Sequence, residues 1–255
     1  MDKEKLVSNI KIIRELSIRN LKLKYSSAFL GILWAGLIPL MLSLAIYFVF
    51  IKVLGVGRKD FIFFVLSGIV PWLYFSSAIT ESAQAFFQEK SMMAQFDFPK
   101  FFYPTAVNIS NIYQHLIAWV FVLPLFIVSS PKIIIKIPIL VFPLIFLGLF
   151  LNGICIISAI INLLFRDFQH FLTAGLMILF WMTPVFYSVD MVPDKFKFIL
   201  YLNPLTYFLK MYRIVLLNAC WNKFDILVLF LWVLFSIILT GFIYKKLFRV
   251  LEKKI

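Results

Sequence analysis

Polar and apolar positions fall along this chain in long blocks. From Tyr25 to Ile51 no side chain is charged. Apolar tracts lie near Leu30–Ile51, Phe61–Ser82, Ala106–Val128, Ile137–Leu164, Phe171–Val189 and Ile226–Tyr244, with Glu81 at the end of the second. A bilayer hydrocarbon core about 30 Å thick takes roughly 20 residues of helix, so each tract predicts a membrane span. The expected fold class is an all-α integral membrane protein of six transmembrane helices. The third and fourth spans are separated only by "SSPKIIIK", where Pro131 and two lysines supply a turn.

Two stretches depart from the span pattern. Ahead of the first tract, "LVSNIKIIRELSIRNLKLKY" places Leu6, Ile10, Ile13, Leu16 (or Ser17) and Leu21 near one helical stripe, with Lys11, Arg14, Arg19 and Lys22 on other faces. That pattern predicts an amphipathic helix in the headgroup layer. The chain thus divides into an interfacial segment, residues 1–29, and a six-span domain, residues 30–255. Between the fifth and sixth tracts, "FILYLNPLTYFL" is uncharged from Phe198 to Leu209. It is too short to span and too apolar for a loop, and it predicts a re-entrant or interfacial helix pair broken at Asn203-Pro204.

Composition sharpens the class. Hydrophobic residues make up 63% of the 255 and charged ones 15%, with 31 phenylalanines. The net charge of +13 concentrates beside apolar tracts, which suits lipid headgroups and excludes a soluble nucleic-acid-binding face. Residues 1–29 carry seven Lys or Arg and the segment after Tyr244 five. The positive-inside rule therefore predicts both termini in the cytoplasm and a multi-pass protein of the cytoplasmic (inner) membrane, although Asp190–Asp225, on the outer side, also holds five. Some 25 polar or amphipathic residues precede a long first tract, so a retained span is expected rather than a cleaved signal. Cys155 and Cys220 have no CxxC or Cys/His spacing, which predicts packed, inert thiols and neither metal nor disulfide.

Sites of chemistry are sparse. No GxxxxGK[ST] phosphate loop occurs, and "GVGRKD" at Gly55 reads as a turn. His115 and His170 lack any HExxH, GxSxG or paired-carboxylate company, so structural roles are expected. The spans offer no acidic ladder for ion coupling. They do offer rings: Trp34, Trp72, Tyr74 and Phe75, then Phe180, Trp181, Phe186 and Tyr187. Aromatic faces stack on sugars and tolerate sliding; belts of Trp and Tyr at the lipid interface account for such residues equally well.

Several tracts together resemble the transmembrane subunits of the ABC-2 family, in its polysaccharide-exporting branch. "KYSSAFLGILWAGLIP" carries Lys24-Tyr25, Leu30-Gly31, Trp34 and Pro39 at the family's spacing, departing at Ser26 and Ala28. "FDFPKFFYP" supplies Phe98-Pro99-Lys100 and Pro104, with Gln95 where lysine is common. "NLLFRDFQHF" supplies the Arg166-Asp167 turn, "FWMTPVFYS" the Pro184–Tyr187 element, and "YLNPLTYFLKMYRIVLL" Asn203-Pro204 and Arg213.

The resemblance implies a homodimeric permease, without ATPase activity or a cofactor of its own, docked on separate ABC ATPase subunits that bind ATP. Its cargo would be a lipid-linked glycan. Trp34, Trp72, Tyr74, Phe75, Phe180, Trp181 and Tyr187 become candidate pathway residues, Lys22 and Lys24 entrance charges, and Asn203, Pro204 and Arg213 an outer gate. A coupling helix at Gln88–Phe96 would use Glu89, Lys90, Met92, Met93 and Phe96 and end at Pro99, with Arg166 and Asp167 nearby. Rival readings are an ABC-2 exporter of drugs or small lipids, and an integral-membrane enzyme of polyprenyl-lipid metabolism.

Overall fold

The computed structural model describes residues 3–55, 60–96, 98–220 and 222–254, with side chains for 7–246 within these ranges. The Leu6 side chain and residues 56–59, where a turn is expected from sequence, lie outside the described residues. Among the described residues every regular element is helical: α1 (Lys3–Tyr25), α2 (Trp34–Tyr47), α3 (Phe61–Ala83), α4 (Ala85–Gln88), α5 (Lys90–Gln95), α6 (Phe102–Ser129), α7 (Val141–Leu164), α8 (Phe168–Met182), α9 (Asp194–Leu202), α10 (Pro204–Leu217) and α11 (Lys223–Lys254).

Among the described residues five stretches are long and apolar enough to cross a bilayer: Gly31–Val53, Phe61–Ala83, Phe102–Ser129, Pro131–Leu164 and Lys223–Lys246. The fifth apolar tract behaves differently. Its helix, α8, has 15 residues, about 22 Å at the α-helical rise and short of the hydrocarbon thickness. After α8, Thr183 is extended and the chain turns through Pro184 toward α9. Pro184 disfavours helical geometry at Thr183, and here, unlike Pro39, Pro71 and Pro124 inside α2, α3 and α6, it coincides with the helix end, so the tract does not continue as one helix to Val189.

Helix α3 is the centre. Its apolar window is 72% buried, and α2, α6, α7 and α10 all pack on it. α11 lies against α7, where Gly153 lets the backbones close: a Cβ there would stand 2.7 Å from Thr240 Oγ1 and 2.9 Å from the Ser236 carbonyl. Small residues at such crossings replace the hydrophobic drive that lipid removes. Gly153→Leu should force α7 and α11 apart at a cost of about 1–3 kcal/mol, read as a lower melting temperature of the detergent-solubilised protein; an unchanged melting curve would show the crossing to be slack.

The predicted helix pair exists, and α10 is no lid. Leu205, Phe208, Leu209, Tyr212 and Val215 are buried in the main core with α3 and α7. Asn203 Oδ1 accepts from the Leu205 amide at 3.0 Å, and Pro204 opens the helix where no amide is needed. A polar chain threads the same core. Tyr74 donates to Asn108 Oδ1 (2.9 Å), and Asn108 donates to the Gly148 carbonyl (3.1 Å). His115 Nε2 accepts from Trp119 Nε1 (2.9 Å) and meets the Tyr212 hydroxyl (3.0 Å). His115 is thus packed and satisfied at Nε2, as a structural histidine would be; His170 is exposed.

A second, smaller core gathers at one end of the bundle. It contains Leu16, Phe86, Met93, Tyr103 and Ile160, with Ile12, Ile13 and Tyr244 against it. The beginning of the chain and the end of α11 therefore share this end. On α1 the packed stripe is Ile12, Ile13, Leu16 and Ser17, while Val7 and Ile10 stay exposed. The expected stripe through Ile10 is rotated because helix partners take one face and the rest is left for lipid. Cys155 is buried as expected, but Cys220 is exposed, since it follows α10 in a loop.

Candidate functional site

The aromatic residues of the spans do not form one surface. The main cleft, about 730 Å³, opens between α2, α3 and α8. Trp72, Phe180 and Trp181 line it, joined by Phe50 and Phe186. The rings form a continuous chain: Phe50–Phe186 at 5.3 Å, Trp72–Phe180 at 5.3 Å, Phe180–Phe186 at 5.7 Å and Trp181–Phe186 at 5.3 Å between centroids. Tyr187 packs on Phe186 and donates to the Trp181 carbonyl at 3.0 Å, bracing the wall from behind. Phe75 touches Trp72 at 5.6 Å but opens, with Asn203 and Pro204, on a separate apolar cavity of about 430 Å³. Trp34 and Tyr74 line a small third pocket of about 70 Å³ with Asn111, Gln114 and His115.

Phe50 was not legible as a cleft residue. Residues Phe48–Val53 form a π turn, which breaks the 3.6-residue register on which facing is read from sequence. The helix α8 has no buried residue, and Trp181 is 65% exposed. The cleft therefore has a finished wall on α3 and an open edge along α8.

At the end shared by the chain termini, charges tie α1 to its neighbours. Arg19 pairs with Glu89, and its Nη1 meets Met92 Sδ at 3.0 Å. Lys24 pairs with Glu81 and also reaches Gln114. Lys24 is thus not the free entrance charge expected from sequence: its partner is the lone carboxylate of the second apolar tract. Lys22 is exposed. Burial and the Glu81 carboxylate push the Tyr25 hydroxyl up to about 12, so it remains a neutral phenol beside this pair.

The segment expected to couple to an ATPase is a helix in two pieces, broken at Glu89, with Phe96 already extended. It ends at Gln95, before Pro99 can act; the loop residue Pro99 instead accepts from the Phe102 amide at 2.9 Å. Met93 is 5% exposed and belongs to the smaller core, so it cannot form part of a docking face. Lys90 is exposed, and Phe96 is exposed and stacked flat on Phe98 at 5.4 Å. Arg166 lies over the Phe87 ring at 5.8 Å, which brings the exposed Arg166-Asp167 turn to the same surface.

At the opposite end Arg213 is 8% exposed. Its guanidinium lies 3.7 Å from the Phe64 centroid, donates to the Val185 carbonyl at 2.8 Å and approaches Ser67 Oγ at 3.4 Å. Gly68 allows this: a Cβ there would lie 2.7 Å from the Val185 carbonyl oxygen. Asn203 Nδ2 donates to Thr183 Oγ1 at 2.8 Å. Both residues fasten the bend after α8 to α3 and α10, a clamp that the isolated residue letters did not announce.

Long apolar helices around a ring-lined cleft, with ion pairs tying α1 to its neighbours at one end, define an integral membrane protein. The profile of the ABC-2 type transporters matches residues 12–217, and the chain belongs to that family. Two proteins of Klebsiella pneumoniae, each named O-antigen export system permease protein RfbA, are similar to it. One is 30% identical over 212 residues, covering 80% of this chain and 79% of the relative; the other is 29% identical over 233, covering 88% and 84%. A protein of the same name from Myxococcus xanthus is 31% identical over 206 residues, covering 77% and 76%.

Proposed function

We propose that this chain is the membrane permease of an ATP-driven exporter that moves a lipid-linked, O-antigen-like polysaccharide across the cytoplasmic membrane. The observation that carries this reading is the unbroken ring surface from Phe50 through Phe186 to Trp72, in a family of transporters whose similar members are named for O-antigen export. Sugar rings present apolar C–H faces that stack on such rings at any register, so a polymer can slide without a binding step at each unit. Two copies of the chain would face each other across the open α8 edge. Separate ABC ATPase subunits would bind and hydrolyse ATP, docking on Lys90, Phe96 and the Arg166-Asp167 turn. Both termini would then lie in the cytoplasm, α8 with its bend would complete a sixth crossing, and Lys22 would face anionic headgroups or the cargo's phosphate.

Deleting the gene should remove the polysaccharide from the cell surface and leave it inside the cell. In the complemented strain, Trp72→Ala and Trp181→Ala should each lower surface polysaccharide about two- to tenfold, the worth of a lost stacking contact. Normal export by the double variant at wild-type expression would reject the cleft as the route. ATP hydrolysis by the purified chain alone would contradict the division of labour.

A further inference from the structure

A second cavity, about 610 Å³, lies at the end opposite α1, enclosed by the bend after α8, the α9–α10 pair and the start of α11. It differs in kind from the cleft. Lys210, Arg213, Asp190 and Asp225 all contribute to its lining, so its formal charges cancel. Lys210 Nζ and Asp225 Oδ2 form an ion pair at 2.5 Å, and Asp225 is 7% exposed. The hydroxyl of Thr206, in a residue 6% exposed, is buried against this cavity without a hydrogen-bond partner among the described residues.

From these features we infer that the cavity is a binding site for a neutral saccharide unit, a subsite on the outer face separate from the aromatic cleft. A buried hydroxyl left without a partner costs free energy unless a ligand or water completes it. An anionic ligand would have to compete with Asp225 for Lys210, and Asp190 would oppose it. A polyol, in contrast, brings donors for the carboxylates and acceptors for the ammonium and Thr206 without changing the net charge. Tyr201, 54% exposed at the cavity wall, supplies a ring for stacking, and Tyr207 is held by donating to the Tyr201 carbonyl at 2.9 Å. The volume is within the range of about 300–1,000 Å³ typical of small-ligand sites. This inference rests on the polysaccharide-export reading, which supplies sugars to this face.

Cys220 provides the reporter. It is exposed and lines the cavity, whereas Cys155 is buried in α7. The purified chain in nanodiscs would be labelled with a maleimide in the presence of glucose, galactose, mannose, rhamnose, N-acetylglucosamine or inorganic phosphate. At about tenfold above Kd a site is about nine-tenths occupied, so a bound sugar should slow Cys220 labelling about tenfold. Thr206→Val and Tyr201→Ala should each raise the half-protecting concentration about fivefold or more, with circular dichroism unchanged. Protection by phosphate and by none of the sugars would make this an anion site and overturn the inference, as would equal protection of both variants or no protection at all. Binding to purified protein needs neither ATPase nor transport, so its failure leaves the export reading standing. Normal export in the deletion strain would remove that reading whatever Cys220 reports.

Discussion

Arg213→Leu should leave little folded protein in the membrane. The substitution deletes the charged donor to the Val185 carbonyl and the cation over Phe64, and leaves the carbonyl of Val185, a fully buried residue, without that donor. A hydrogen bond to a charged group contributes about 1.5–3 kcal/mol and a desolvated cation–π contact about 2. A loss of about 3–5 kcal/mol is comparable with much of the stability of a domain. Arg213→Lys keeps the charge but not the planar fork that serves Ser67, Val185 and Phe64 together, so it should fall between the two. Fluorescence-detected size exclusion of tagged variants ranks them. Wild-type yield and melting temperature for Arg213→Leu would show that the clamp holds nothing.

The second large effect concerns the other end. Arg19→Glu sets a carboxylate against Glu89 and should release α1 from the connector between α3 and α6, cutting export at least about tenfold while the chain still inserts. The pair is worth only about 1 kcal/mol by itself, being partly exposed. The leverage comes from what it joins: nucleotide-driven movement reaches a pore only through stiff elements in contact, and α4 and α5 are short pieces braced against α1 by Arg19. Arg19→Glu with Glu89→Arg should restore export. Two single variants that export normally would dismiss the brace, and a double variant no better than either single would point to roles apart from pairing. Phe96→Asp, by contrast, should cost copurification of the ATPase without disturbing α1, because Phe96 is outward and Met93 is not.

The long helices were legible because a bilayer imposes one coarse rule, an uncharged run of fixed length, and the sequence obeys it at α2, α3, α6, α7 and α11. The rule is too coarse at α8, which ends at Met182 although the apolar run continues to Val189. The helix pair at Asn203-Pro204 was legible through local chemistry, a capping side chain followed by proline. Its burial was not, since facing depends on which neighbours arrive. The same reason hid the partners of Lys24 and Arg19: Glu81 and Glu89 are 57 and 70 positions away, and no local pattern reports a contact at that distance. Met92 and Met93 look alike as letters, yet a turn of about 100° between neighbours buries Met93 inside the smaller core and leaves Met92 half-buried at its edge, against Arg19.

The burial of α10 also bears on how the protein is made. A 14-residue helix carrying Lys210 and Arg213 has neither the length nor the hydrophobicity for a translocon to release it into lipid as an independent span. Its slot is walled by α3, α7 and α11, of which α3 and α7 leave the ribosome earlier. Assembly must therefore proceed in two acts: spans threaded one by one, then a late docking of α10 once Phe64, Ser67 and Val185 are in position to receive Arg213. In the interval the nascent permease holds an unfilled groove in its middle, the stage at which membrane chaperones and quality-control proteases would find their substrate.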